Sequence, residues 1–317
     1  MALQRICDPM LPELSRFFQA PISEVSKVIS FFAIAYGLMQ LFYGPVGDRF
    51  GKYRVVILAS VGCSVGSALS ALSNDLAFLV AARMATAVAA AAIIPLSLAW
   101  VGDEVAYEQR QETLARVGLG TMLGITAGQL FGGLLTDTLG WRWAFALLAG
   151  TFGCVSWLLW RHTHHLKPAS HHAHQAKGFF SQLKQVAQDA WARTFLCITL
   201  VEGATVFGAL AVTAAHLHQV HGISLTLAGG TTALFGLGGM AYMATAKFTI
   251  RRFGEVGLAR YGGMNFGMAF LVIALTPWWQ LALVAVRLNA LSTPCWTTVR
   301  EPRNLAKLVS RHWSFIQ

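Results

Sequence analysis

Long apolar runs decide what this chain can become. Complete runs occupy about residues 26–46, 55–74, 77–100, 117–136, 143–160, 194–215, 225–247 and 259–277, and a shorter one extends from Trp279 to Leu291. Each complete run is close to the ~20 residues that an α-helix needs to cross a hydrocarbon core ~30 Å thick. Lipid offers backbone groups no hydrogen bonds, so each run must satisfy its own N–H and C=O groups, which a helix does. A membrane barrel would show short segments of alternating hydropathy, and none is visible. The remaining composition agrees. Only 12% of the 317 residues are charged, 55% are hydrophobic and the mean hydropathy is +0.54, whereas soluble domains carry ~25% charged residues. The expected fold class is an all-α polytopic membrane protein, with about eight full spans and partial first and tenth helices arranged as two helix bundles.

The net charge of +10 invites a nucleic-acid reading, but the bases lie in the connections between apolar runs. Arg49, Lys52 and Arg54 share one connection. Arg161, Lys167, Lys177, Lys184 and Arg193 surround a polar middle segment, and Lys247, Arg251, Arg252 and Arg260 mark a later one. The connections around Asn74-Asp75, His216–Ser224 and Thr276-Pro277 hold almost no base. Cytoplasmic loops carry the excess of Lys and Arg, so the basic connections are cytoplasmic and no nucleic-acid partner is expected. The chain then divides into an N-terminal bundle (1–160), a His-rich cytoplasmic linker (161–192), a partial C-terminal bundle (193–291) and an aberrant polar tail (292–317). Cys7, Cys63, Cys154, Cys197 and Cys295 form no CxxC pair and read as small buried hydrophobes.

Four motifs carry a resemblance. Gly44-Pro-Val-Gly-Asp48-Arg49-Phe-Gly51-Lys52-Tyr-Arg54 is a short glycine turn holding one acid and several bases between two spans. Leu79-Val-Ala-Ala-Arg83-Met-Ala-Thr86-Ala87 puts an arginine inside a span. Gly120, Gly124, Gly128-Gln129 and Gly132-Gly133 repeat small residues at i and i+4, a smooth face for close approach of another helix. Gly140-Trp141-Arg142-Trp143-Ala-Phe145 follows. The first resembles the G-x-x-x-D-R-x-G-[RK]-[RK] loop between the second and third helices of the major facilitator superfamily. The second resembles its fourth-helix R-x-x-Q-G-x-G, with Thr86 in place of Gln. The third resembles the fifth-helix antiporter motif G-x3-G-P-x2-G-G, with Gln129 in place of Pro. The last resembles the G-W-R-W-x-F entry to the sixth helix. Asp8-Pro9-Met-Leu-Pro12 looks like the outer end of a first helix, and Glu202-Gly203 resembles the seventh-helix pair of bacterial efflux members.

The resemblance implies a secondary transporter of the bacterial drug or small-molecule efflux type, working by alternating access in the bacterial inner membrane. It implies proton-coupled export of a small organic molecule, with cargo, protons and lipid as partners and a monomer as the working unit. Asp48 and Arg49 would form a latch that holds one access state. An arginine within a span is expensive and faces a cavity or partner, so Arg83 either tunes the proton affinity of a carboxylate, contacts cargo, or snorkels to the headgroups. Glu202 is either the proton carrier or a carboxyl bonded between helices. Asp8 is either a helix-end charge or part of the proton path. Trp141 and Trp143 are expected as interface anchors, and Tyr36, Gln40, Trp100 and Phe207 as packing residues more than cavity residues.

Two other readings stand beside it. His162, His164, His165, His171, His172 and His174 invite a membrane metalloenzyme with histidine boxes, but both clusters sit in one linker rather than at separate membrane ends. No enzyme, metal site or cofactor is expected, and no G-x4-G-K-[ST] phosphate loop occurs. The second reading is a non-transporting fragment: the chain reads as a transporter truncated at both ends, with a tail from about Asn289 that continues neither hydropathy nor motif.

Overall fold

The computed structural model describes residues 1–163 and 188–275, and all its regular elements there are helices. They are α1 (Ala2–Arg5), α2 (Leu11–Phe18), α3 (Ile22–Val25), α4 (Lys27–Phe50), α5 (Lys52–Ala71), α6 (Leu76–Ala90), α7 (Ile93–Glu104), α8 (Tyr107–Thr138), α9 (Trp141–Thr163), α10 (Ala190–His221) and α11 (Leu225–Leu275). Most of the His-rich linker and all of the polar tail lie outside the described residues. The chain forms two compact units, Met1–Ala233 and Leu234–Gln317. In the second, the described residues continue α11 to Leu275.

Six stretches among the described residues are long and apolar enough to cross a membrane: Ile22–Phe50, Lys52–Ala71, Leu76–Glu104, Tyr107–Thr138, Trp141–His162 and Ala192–His221. A shorter apolar helix, Leu225–Ala241, follows. At most 44% of the most apolar window in each long stretch is buried. Leu58 and Leu200 remain 70% and 72% exposed. Apolar surface on that scale needs hydrocarbon around it, because a soluble protein rarely leaves large apolar patches open.

Local chemistry explains the breaks. The run expected as one span at 77–100 is two helices, α6 and α7, parted at Ala91-Ala92. Pro95 lacks an N–H and its ring crowds the carbonyl four residues back, at Ala91. There the ladder tightens to a bond from the Ala92 N–H to the Ala89 carbonyl at 3.3 Å. Asp75 caps α6, accepting from the Phe78 N–H at 3.2 Å, a contact worth ~1 kcal/mol. Between α4 and α5 the turn is a single residue: α4 continues through Pro45 to Phe50, and Gly51 reverses the chain at φ 89°. Only glycine adopts that conformation without penalty.

Further expectations change. The apolar runs at 225–247 and 259–277 predict two spans with a basic loop around Lys247–Arg260, but the backbone is helical throughout 225–275. Hydropathy finds the stretch that needs lipid, not the stretch that keeps its helical hydrogen bonds, and polar residues extend a helix without loss. Likewise α8 and α10 each run to 32 residues, beyond the 117–136 and 194–215 runs. Trp141 is another correction. It is buried against Phe17 and Phe145, with ring centroids 5.5 and 6.0 Å away, rather than anchored at an interface. Trp143 is exposed. Cys7 and Cys63 are buried, but Cys154 and Cys197 are exposed.

The main core lies where α4, α5, α6 and α9 meet the first segment. Phe32, Cys63, Leu79, Phe145, Ile6, Met10 and Leu14 are all almost fully buried there.

Candidate functional site

The first segment is broken where its chemistry lies. After α1 the chain turns, with the Asp8 N–H on the Arg5 carbonyl at 3.2 Å and the Met10 N–H on the Cys7 carbonyl at 3.1 Å. Pro9 and Pro12 prevent a continuous ladder. The turn carries Asp8 into the interior, fully buried, where its Oδ2 accepts from Arg5 Nη1 at 3.1 Å. Arg5 in turn reaches α10: its guanidinium lies 4.3 Å from the Phe207 ring centroid and 3.4 Å from the Phe207 carbonyl oxygen.

Arg83, on α6, is 1% exposed. Its guanidinium stacks 4.1 Å from the Phe32 ring and 5.7 Å from the Phe145 ring. None of its three nitrogens has a hydrogen-bond partner among the described residues. That rules out snorkelling and leaves the inward reading. Its charge acts on Asp8, Cys7 and Cys63. Gln129, on α8, is also fully buried; it lies against Asp8 without reaching hydrogen-bond geometry, and both its amide atoms are unpaired. Four elements thus bring together two cations, one carboxylate and one amide. The carboxylate Oδ1 is likewise unpartnered. Unmet polar groups in a dry interior cost ~1–3 kcal/mol each, and more for a charge, so the cluster is built for something other than stability.

The glycine face makes that gathering possible. A Cβ at Gly124 would lie 3.4 Å from the Ala2 nitrogen, and one at Gly128 would lie 2.8 Å from the Ala2 oxygen. At Gly132 it would collide with the Ile6 carbonyl oxygen. Gly133 serves a different neighbour, the Leu225 carbonyl at the start of α11. Gly120 has nothing within 4 Å. The helix therefore presents two glycine surfaces, one to the first segment and one to α11.

At the α4–α5 turn the latch differs from expectation. Asp48 and Arg49 are exposed and make no pair with each other; Arg49 lies 5.5 Å from the Phe50 ring, and Asp48 only 3.8 Å from Lys52. Lys52, on α5, joins its neighbours: its ammonium pairs with Asp103 at the end of α7 and lies near Asp48 at the end of α4. Gly44 and Arg54 are exposed, whereas Gly47 is buried against Leu96. Exposed pairs contribute ~0–1 kcal/mol. Lys52→Met is accordingly expected to lower thermal stability in detergent by less than ~1 kcal/mol, and Asp48→Asn to leave it unchanged. A melting curve for Asp48→Asn displaced as far as that for Lys52→Met would assign the latch back to Asp48.

Glu202 sits half-buried on α10, and its side chain has no hydrogen bond or ion pair among the described residues. The structure does not join it to the Asp8 cluster. Arg5 and Asp103 escaped the sequence reading. Arg5 stands three residues from Asp8, a spacing that signals a helical ion pair. Asp103 gave no signal beyond being an acid after an apolar run.

The profile described as Major Facilitator Superfamily matches residues 2–300. The chain belongs to the major facilitator superfamily. Among similar proteins is the uncharacterized MFS-type transporter YwfA of Bacillus subtilis (strain 168), 23% identical over 281 residues, which are 86% of this chain and 66% of that protein. The quinolone resistance protein NorB of Staphylococcus aureus (strain JH9) is 28% identical over 138 residues, 44% of this chain and 30% of NorB. In fold the chain resembles a bacterial homologue of the human lysosomal transporter Spinster, with TM-score 0.72 at 18% identity, covering 98% of this chain and 74% of that one. The chain thus spans just under two thirds of YwfA and less than a third of NorB. Facilitator membership together with the six long apolar stretches makes it an integral, multi-pass membrane protein. It also sets aside the histidine-box enzyme, whose clusters beyond His162 lie outside the described residues.

Proposed function

We propose that this facilitator exports a small organic molecule across a bacterial inner membrane in exchange for protons. The supporting observation is the buried charge cluster: among the described residues Asp8 is the one fully buried carboxylate, it pairs with buried Arg5, and buried Arg83 has no hydrogen-bond partner. Ionised, Asp8 pairs with Arg5 and the cluster carries one net positive charge. Protonated, it leaves both cations without a counter-charge, so burial, which favours a neutral carboxyl, and the two arginines, which favour a charged one, oppose each other. Proton binding at Asp8 is therefore tied to whether water reaches the cluster, and water access is what alternating access changes. Arg83 raises the cost of protonation and so drives the proton off once the site faces inward. The likeness to NorB, a quinolone resistance protein by name, supports export and an aromatic cargo.

Reconstituted vesicles with a pH dye inside test this. A gradient of norfloxacin or ethidium is expected to move protons the opposite way. Cargo flux with no proton movement would reduce the protein to a uniporter, and neither flux would remove the transport reading.

Glu202, half-buried on α10 and apart from the Asp8 cluster, is the second carboxyl of the proposal, a separate proton-binding site. Glu202→Gln is expected to lower cargo-driven proton movement at least ~100-fold, the low end of the ~10²–10⁴ that one proton-transfer group typically contributes. Exchange of labelled for unlabelled cargo should continue, because it needs no net proton. Undiminished proton movement would leave Glu202 a structural carboxyl. Asp48 enters the proposal as a gating residue through its 3.8 Å approach to Lys52 across the α4–α5 turn, and Asp48→Asn is expected to slow net transport several-fold at unchanged folded yield.

A further inference from the structure

The last turn of α8 and the first turn of α11 meet in a contact that the charge cluster does not use. The start of α8 lies near Asp103, whose partner Lys52 belongs to the basic, cytoplasmic turn. At 32 residues α8 is about 48 Å long, enough to cross the core, so its last turn stands on the outer side. Asp137 in that turn accepts from the Leu225 N–H at 3.3 Å, the Thr226 N–H at 2.6 Å and the Thr226 hydroxyl at 2.7 Å. The first N–H groups of a helix have no partner within it and carry partial positive charge. Asp137 therefore supplies from another helix what Ser224, accepting from the Leu227 N–H at 3.2 Å, supplies from its own chain.

Below this contact the two helices touch through glycine. Gly133 lies against the Leu225 carbonyl and Gly229 against the Gln129 carbonyl, and a Cβ at Gly229 would come 3.4 Å from the Pro9 Cβ. The seam thus closes over Pro9 and Gln129, the immediate neighbours of Asp8. We infer that Asp137 is the latch of an outer gate: its carboxylate holds the start of α11 down on α8, seals Asp8 from outer water, and releases α11 when the site opens outward. Charge-assisted bonds at an exposed site suit this, since they are directional yet water can replace them as they part. The inference rests on the transport reading, but the seam can be observed without transport.

The test uses the full chain in membranes, with its five cysteines replaced by serine. Leu130→Cys and Gly230→Cys are placed across the seam, where the Leu130 side chain is 3.9 Å from the position of a Gly230 Cβ. A short bis-methanethiosulfonate reports closure. A membrane-impermeant maleimide on Leu130→Cys alone, added outside, reports opening. Asp137→Ala is expected to slow crosslinking and speed outside labelling by about tenfold, as a population shift of the gate requires. Thr226→Val keeps both main-chain bonds and loses one, so it should move both rates the same way by less. Unchanged rates in folded Asp137→Ala protein overturn the latch; should that variant not fold, unchanged rates in Thr226→Val do so. Normal proton-linked transport without any seam response removes the latch alone, whereas a seam response without cargo or proton flux removes the transport reading and leaves the latch standing.

Discussion

Asp8→Ala is expected to destabilise the folded protein by ~3–5 kcal/mol, the cost of leaving a buried charge without its partner. Asp8 is fully buried and is the only side chain bonded to Arg5 among the described residues, and its carboxylate also acts on Arg83. Its removal strands both cations. Arg83→Met is expected to behave in the opposite way. Arg83 makes no hydrogen bond, so the change loses ring contacts with Phe32 and Phe145 but also removes the desolvation of a charge. Its melting temperature should stay level or rise while proton-linked flux is lost. Adding Arg5→Leu to Asp8→Ala should recover part of the stability, since it takes away one stranded cation. Thermal melts in detergent and the vesicle proton assay read all three variants. If Asp8→Ala melts with the unaltered protein, Asp8 is not the counter-ion; if Arg83→Met melts far lower, the arginine is a structural post.

Gly132→Val carries the next largest effect. The added Cβ would strike the Ile6 carbonyl oxygen, and its branches would reach toward Pro9, whose Cγ lies 3.0 Å from the Cβ position. Backbone cannot swing aside as a side-chain tip can, so α8 and the first segment must separate. Overpacking typically costs ~1–3 kcal/mol, and here separation also pulls Gln129 from Asp8. Gly120→Ala is the control on the same helix. Nothing lies within 4 Å of its Cβ position, so it should gain ~0.5–1 kcal/mol from reduced backbone freedom. A denaturation series that ranked the two alike would show that the glycines serve backbone flexibility rather than close approach.

Hydropathy alone was enough to place the membrane, because transfer into lipid is summed over residues adjacent in sequence. The basic turn, the Asp75 cap and the Pro95 break are equally local, each set by a few neighbouring residues. Arg83 could be recognised as inward-facing only in principle: charge in a span is costly, but whether it snorkels depends on what packs above it, here Phe32 from α4 and Phe145 from α9. Asp48 and Arg49 drew attention through their motif, yet the cross-helix pair fell to Lys52 with Asp103, 51 residues away. The two-span reading of 225–275 failed because apolar runs mark contact with lipid and say little about where helical hydrogen bonds stop.

From its residues in order, then, this chain was bound to be helical and lipid-embedded, with small residues along α8 and charges at Asp8, Arg83 and Glu202. Which of those charges meet was decided only by folding. Arg5, Asp8, Arg83 and Gln129 converge because glycines on α8 let the broken first segment approach to backbone contact, and Glu202 stays apart on α10. Apart from the Arg5–Asp8 pair, whose three-residue spacing is local, burial and convergence depend on distances between elements far apart in the chain, and no local pattern carries that information.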